Sequence, residues 1–522
     1  MSAMPARDDR RWLRNVATSY GDLLLGGTIY VLITPFIIHH LGLEAYAVWL
    51  ISHTLTFYLG MLDLGIGQAH VRFHARHVAQ GRPRAALRLA GNVVPALIVA
   101  GVVAAVAAAV IGLMPLERVF SVEGGLAFDF RLVVIILGLN LLIALPASAL
   151  ENIYEGEQRF DIRNLRSIVL RIVAVSVQVW LLLQGYGIVA LALVELCVSA
   201  LRACIDLLLV SRLLPGLLRT RLSMDRRVWR RIRPFALWAF VDDLLVEGSA
   251  HIDKLLVALL LPMALVTPYA LCIAVAGLLL LLAQPIAETF FPMASSLHAS
   301  GRQSELARVL RTGTKATVAV AAPVAVFLLL VGESLLVFWV AELEPVLVAG
   351  LLPLVVVSFF VAAICWTPTL VLMAVNRIRL VACLTLAEIG LSVALMLILV
   401  PRLGLLGVAW AVLIAGLLVG SLFLLPAACR AANLGLVDLL ASGVARVILA
   451  VGPAAVLGGT LGIMRAPFGL FDFMLIAACI ATAYLPALYF GGLDAWERSL
   501  ILGVLRGRSP QPALAATEVR AP

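Results

Sequence analysis

Charge is scarce in this chain. Asp, Glu, Lys and Arg supply 13% of its 522 residues, against 63% hydrophobic residues and a mean hydropathy of +1.07. A soluble domain carries about 25% charged residues, so the composition excludes a chain that stands free in water. The seven cysteines (Cys197, Cys204, Cys272, Cys365, Cys383, Cys429 and Cys479) lie in or beside apolar runs and lack ligand spacing, so they argue neither for a metal centre nor for a disulfide framework. No G-x-x-x-x-G-K-[ST] loop and no H-E-x-x-H pair occurs, and neither a nucleotide-driven engine nor that kind of metal-dependent hydrolysis is expected of the chain itself. The opening MSAMPARDDRRWLRN has no apolar h-region and no small-residue cleavage site, so it is expected to remain part of the protein.

What the sequence has in abundance is apolar runs of the length that crosses a bilayer, about 20 residues each. They predict an all-α polytopic membrane protein of about fourteen transmembrane helices, near 17–39, 43–66, 87–113, 131–151, 165–184, 187–211, 235–259, 263–288, 315–340, 346–375, 380–400, 404–428, 440–461 and 472–490. Turn residues mark the joints, as in HHLGLEAY (39–46), QGYG (184–187), LPMALVTP (261–268) and PRLG (401–404). With a cytoplasmic N-terminus, thirty-two of the 39 basic residues fall on the cytoplasmic side, against Arg118, Arg131, Arg402 and Arg465 on the other. Such asymmetry predicts that both termini are cytoplasmic. The formal charge of +9 is therefore read as membrane orientation and not as a nucleic-acid footprint. The densest basic stretch, RTRLSMDRRVWRRIRPF (219–235), reads first as an anchor on anionic headgroups, with capture of an anionic lipid as the second reading.

The seventh helix breaks the apolar rule. WAFVDDLLVEGSAHIDKLLVALLL (238–261) places Asp243, Glu247, His251 and Lys254 at helical spacing on one face. Unpaired charge facing lipid costs at least about 3 kcal/mol per residue, so this face is expected to line a cavity or to pair with other polar helices. Substrate contact and ion coupling are both open to it, with Glu247 and His251 as central groups. Further candidates are Asp22 and His53 in the first two helices, Asp63 at the end of the second, Arg171 and Arg202 within spans, and Glu288 beside Pro285 in the eighth. Asp63 is expected to pair with the arginines that follow it, with a part in gating as the functional alternative. Glu195 and Glu388 are isolated acids to which the sequence gives no partner.

The basic stretch also divides the helices into six and eight, and the two parts share features. GEQRF at Gly156 aligns with NRIRL at Asn376, and GIVALAL at Gly187 with GVAWAVL at Gly407, both 220 residues apart, while DLLLGG at Asp22 and DLLVEG at Asp243 are 221 apart. These offsets predict two pseudo-symmetric six-helix lobes plus a C-terminal helix pair. The expected organisation is an N-terminal lobe at 1–213, a basic linker at 214–234, a C-terminal lobe at 235–428, and helices 13 and 14 with a cytoplasmic tail at 429–522.

The segment 41–91 carries Leu41, Gly42, Tyr46 and Trp49, then Leu62, Asp63, Leu64, Gly65 and Gly67 in MLDLGIG, then Arg72, Arg76, Arg82 and Arg84. With EGEQRF after the fourth helix, it resembles the polysaccharide and oligosaccharide (O-antigen type) flippase branch of the multidrug/oligosaccharidyl-lipid/polysaccharide (MOP) exporter superfamily. The resemblance implies a transporter of the bacterial inner membrane and not an enzyme. It implies a flippase that carries a polyprenyl-diphosphate-linked oligosaccharide from the cytoplasmic to the periplasmic leaflet by alternating access, for cell-surface or exported polysaccharide. No cofactor is implied, and coupling would be to a proton or sodium gradient. Partners would be the lipid-linked oligosaccharide, membrane lipids, and a polysaccharide polymerase with its chain-length regulator, with no nucleic acid. The alternatives are a cation-coupled multidrug exporter of the same superfamily and a peptidoglycan lipid-precursor flippase.

Overall fold

The computed structural model describes residues 6–122, 124–465, 469–495 and 497–499; the tail assigned after the fourteenth helix lies largely outside them. Among the described residues the secondary structure is helical throughout, with no strand, as a polytopic all-α membrane protein requires. Twelve helical runs among the described residues are long and apolar enough to span. The expected fourteen differ from this in two places, both with a physical cause. The run Arg14–Asp63 is 50 residues long and holds the first two expected spans, divided at Gly42, whose φ of 83° interrupts the helix. The seventh expected helix fails on composition because it is charged. It also folds as two pieces, Arg226–Val246 and Ser249–Leu260.

The chain forms two compact units, Met1–Ala270 with Trp339–Glu342, and Leu271–Phe338 with Leu343–Pro522. The first unit contains α1 (Ala6–Gly60), α2 (Ile66–Ala79), α3 (Pro83–Leu113), α4 (Leu116–Val119), α5 (Leu126–Gly156), α6 (Phe160–Leu183), α7 (Ile188–Leu213), α8 (Arg226–Val246) and α9 (Ser249–Leu260). Hydrophobic burial gives little reason for helices to associate in lipid, so close backbone approach does much of the work. Buried Gly101, Ala104, Ala108 and Gly112 form a small-residue stripe on α3, and a methyl added at Gly138 of α5 would lie 2.2 Å from the Ala108 methyl.

The MLDLGIG block is a built turn. Leu64 and Gly65 are both left-handed, with φ of 52° and 71°, and Asp63 accepts the backbone N–H of Gly65 at 2.9 Å. Gly65 also admits α8, since a methyl there would sit 2.2 Å from the Ala236 carbonyl oxygen. The helix expected to open a second lobe thus packs inside the first unit.

The second unit contains the long helices α11 (Leu278–Ala299), α12 (Gln303–Trp339), α13 (Pro345–Ala374) and α14 (Ile378–Leu403), followed by shorter segments up to α18 (Arg446–Arg465) and α19 (Leu470–Ala487). Its two buried clusters are almost wholly aliphatic, one around Leu306, Leu310, Leu372 and Cys429, the other around Val318, Val447, Ile476 and Ile480.

Candidate functional site

The polar groups of the first unit are gathered on facing helices. Glu195, Arg202 and Asp206 recur on one face of α7 at spacings of seven and four, which brings them repeatedly to the same neighbours. Glu151, near the end of α5, receives three guanidinium groups: Arg166 at 2.9 Å and Arg163 at 3.2 Å from α6, and Arg202 from α7. Arg166 also pairs with Asp206, and both side chains are sealed, at 5% and 0% exposure. Arg163 reaches Glu155 at 3.3 Å. Arg202 differs from the rest: it gives one terminal nitrogen to Glu151, and its side chain is 41% exposed.

At Glu195, His53 Nε2 lies 3.5 Å from Oε1, and the His53 ring meets Trp49 edge-on. Between α6 and α1, Arg171 pairs with the Asp22 carboxylate at 3.2 Å and donates to its backbone carbonyl at 3.0 Å. His251 stacks on Phe57 with ring centroids 4.1 Å apart, and Tyr58 donates to the Gly248 carbonyl at 2.8 Å, which ties α9 to the second half of α1. Gln68 donates to Asp243 at 2.7 Å, and Tyr269 to Asp253 at 3.4 Å.

The structure therefore gathers some expected groups and separates others. Asp243, Glu247, His251 and Lys254 do not share one unbroken helical face. The Gly248 N–H reaches back to Asp243 O and the His251 N–H bonds only to Gly248 O, so the helix is irregular at Glu247 and Gly248. Asp243 is held by Gln68, His251 by Phe57, Lys254 is half-buried on α9, and Glu247 is exposed at the break. Asp63 makes no arginine pair among the described residues; it accepts the N–H groups of Gly65 and Gly67 and serves the turn. Asp22 and Arg171 join each other, and Arg202 joins Glu151. Glu195 has His53 as a neighbour. Glu288 stands in the second unit, exposed on α11.

Sequence reasoning missed Glu151, Arg163, Arg166 and Asp206 as a set. A signal was present: Asp206 sits four residues after Arg202 on a helix expected to span, where an uncompensated acid would be costly. Counting Arg163 and Arg166 as loop charges hid their partnership with it.

Residues 127–342 match the family described as polysaccharide biosynthesis protein, and no curated protein matches the chain significantly. Among solved structures, the fold is similar to that of the lipid II flippase MurJ in an inward closed conformation, with a TM-score of 0.69 and 13% identity over 93% of this chain and 99% of that one. It is also similar to an inward-facing MATE family multidrug resistance transporter of the MOP superfamily, with a TM-score of 0.65 and 16% identity over 78% of this chain and 94% of that one. A MOP superfamily transporter from Pyrococcus furiosus gives a TM-score of 0.53 at 13% identity, over 81% of this chain and 94% of that one. This is a polytopic all-α membrane chain whose fold is similar to that of MOP superfamily transporters and whose residues 127–342 match the polysaccharide biosynthesis protein family.

Proposed function

We propose that the protein is a flippase that moves a polyprenyl-diphosphate-linked oligosaccharide from the cytoplasmic to the periplasmic leaflet of a bacterial inner membrane, with both termini cytoplasmic. The observation that carries this reading is the arginine cluster on Glu151. Three guanidinium groups at one carboxylate, one of them 41% exposed, form a site where a diphosphate can compete with Glu151 for Arg202. Arginine suits that exchange, because its planar fork takes two oxygens of a carboxylate or a phosphate alike. The family segment and the fold shared with a lipid II flippase support the same substrate class.

Transport proceeds by alternating access, and a proton or sodium gradient supplies the work. The pair of His53 and Glu195 is the coupling element in this reading, since an imidazole and a carboxylate 3.5 Å apart can pass a proton between them. A polysaccharide polymerase and a chain-length regulator take up the delivered lipid. The multidrug-exporter alternative draws on the exposed acids Asp242 and Glu247, and dye efflux from vesicles separates it. The test of the main reading is reconstitution in liposomes with a polyprenyl-diphosphate oligosaccharide and measurement of its accessibility to a glycosidase added outside. Flipping above empty liposomes is the expected result. Dye efflux with no lipid flipping would overturn it.

A further inference from the structure

A second cationic site lies away from the α5–α7 cluster. His77 from α2, Arg88 from α3, and Arg227 and Arg231, one turn apart on α8, surround a cavity of about 350 Å³ whose apolar lining includes Phe73 and Ile232. Asp225 organises its edge. It accepts the Arg227 N–H at 2.8 Å to cap α8, and it pairs with Arg88. The strap before α8 is pinned to α3 at the same place, because the Asp225 N–H donates to Asn92 at 2.6 Å and the Ser223 N–H to the Gly91 carbonyl at 2.9 Å.

The charge around this cavity does not balance. Asp225 is committed to Arg88, and among the described residues no carboxylate is paired with Arg227 or Arg231. His77 adds a ring whose Nδ1 is buried with no hydrogen-bond partner among them. The environment is felt at that ring: burial, then Arg231, His74, Arg76 and Arg82, hold the His77 imidazole below its ordinary range. A surface anchor would spread its arginines outward over headgroups. Here two of them border, with groups from two other helices, one open pocket.

We propose that this cavity binds a diphosphate group. Its volume falls in the range of small-molecule pockets and exceeds what a single phosphate fills. Arg227 and Arg231, on one face of one helix, offer two forks to neighbouring phosphate oxygens, with His77 and Arg88 opposite. A diphosphate reaches such a site either as a soluble nucleotide or as the headgroup of a lipid, and the chemistry is shared. The inference rests on the cavity alone and stands or falls independently of flipping.

The test uses the full chain in phosphatidylcholine nanodiscs, titrated calorimetrically with inorganic pyrophosphate. Saturable binding is expected, weakened tenfold or more by R227Q/R231Q, since each substitution removes a charge-assisted contact. The control R226Q/R233Q removes the same charge from the same helix, but neither residue lines the cavity, and it should bind within about twofold of the parent. Unfolding temperature and elution profile confirm that both double variants fold; should R227Q/R231Q fail there, R231Q alone must still weaken binding at least threefold. Displacement by uridine diphosphate assigns the site to a soluble ligand, and displacement by a polyprenyl diphosphate placed in the disc assigns it to a lipid headgroup. Absence of saturable binding, equal losses in the two double variants, or displacement by neither competitor would overturn the proposal.

Discussion

The two units treat buried charge in opposite ways. The first stores it deep among its helices, with Glu151, Arg166 and Asp206 linked across α5, α6 and α7 and with Asp22 and Arg171 joining α1 to α6. The second has mostly apolar buried clusters and sets a buried cation of α12 against acids that follow α19. There Lys315, 2% exposed, meets Glu497 at 2.8 Å and Asp494 at 3.4 Å, and Arg446 holds Asp494 from the other side. Helix spacing in the sequence repeats between the two halves, but the chemistry does not. A buried ionic network is a weak source of stability, because desolvation consumes most of its Coulomb gain. The three-helix network of the first unit is therefore better explained by use than by stability, and the first unit is where we propose the transport chemistry.

The largest effect should come from breaking that network on its acidic side. Glu151→Gln leaves three guanidinium groups around a neutral amide and should cost about 3–5 kcal/mol, read as loss of folded protein in thermal unfolding after detergent extraction. Lys315→Met in the second unit is the matching operation. It should cost about 1–2 kcal/mol, because Asp494 retains Arg446 and Glu497 retains the Asp494 N–H. Equal losses in the two units would erase the distinction.

Gly65→Ala should rank next, at about 2–3 kcal/mol. It combines a left-handed φ of 71° with a methyl 2.2 Å from the Ala236 carbonyl, and α8 cannot remain in place. Protease sensitivity of the 219–235 segment would report its release.

A pH effect of about 2 kcal/mol should arise at α2. His70 is completely buried there and burial, with the neighbouring His74 second, lowers its pKa to about 3 from 6.5. The folded state prefers the neutral ring, so this contribution is intact above pH 6.5 and is lost as pH falls from there toward 3. Unfolding temperatures at pH 7.5 and pH 5 should differ in the parent and differ much less in His70→Phe. A smaller effect is expected at the break in the charged helix. Glu247→Gln should change stability by less than about 0.5 kcal/mol, because the side chain is exposed.

Much of the fold was legible because membrane helices announce themselves by length, and their joints by glycine. Three of the four joints read from the sequence contain a left-handed glycine, at Gly42, Gly185 and Gly404. Composition misled at 235–259, read as one helix although Gly248 stood inside it, and at 226–234, read as linker although the helix begins at Arg226. The site was legible only in part. Periodicity places Arg202 on a face but does not say which acid faces it, and Glu151 is 51 residues away on another helix. The pair of His53 and Glu195 spans still more chain. Asp63 was legible as important and misread in role, since local capping of a glycine turn competes with the arginines that follow and wins on distance.

The central claim is that the ionic interior of the first unit handles a lipid diphosphate, and Arg202 tests it most directly. Arg202→Gln removes the half-exposed guanidinium but leaves Glu151 with Arg163 and Arg166, so stability should change by no more than about 1 kcal/mol. At matched protein in liposomes, flipping of the polyprenyl-diphosphate oligosaccharide should fall at least tenfold. Unchanged flipping by a folded Arg202→Gln protein would contradict the claim and leave the network a structural one.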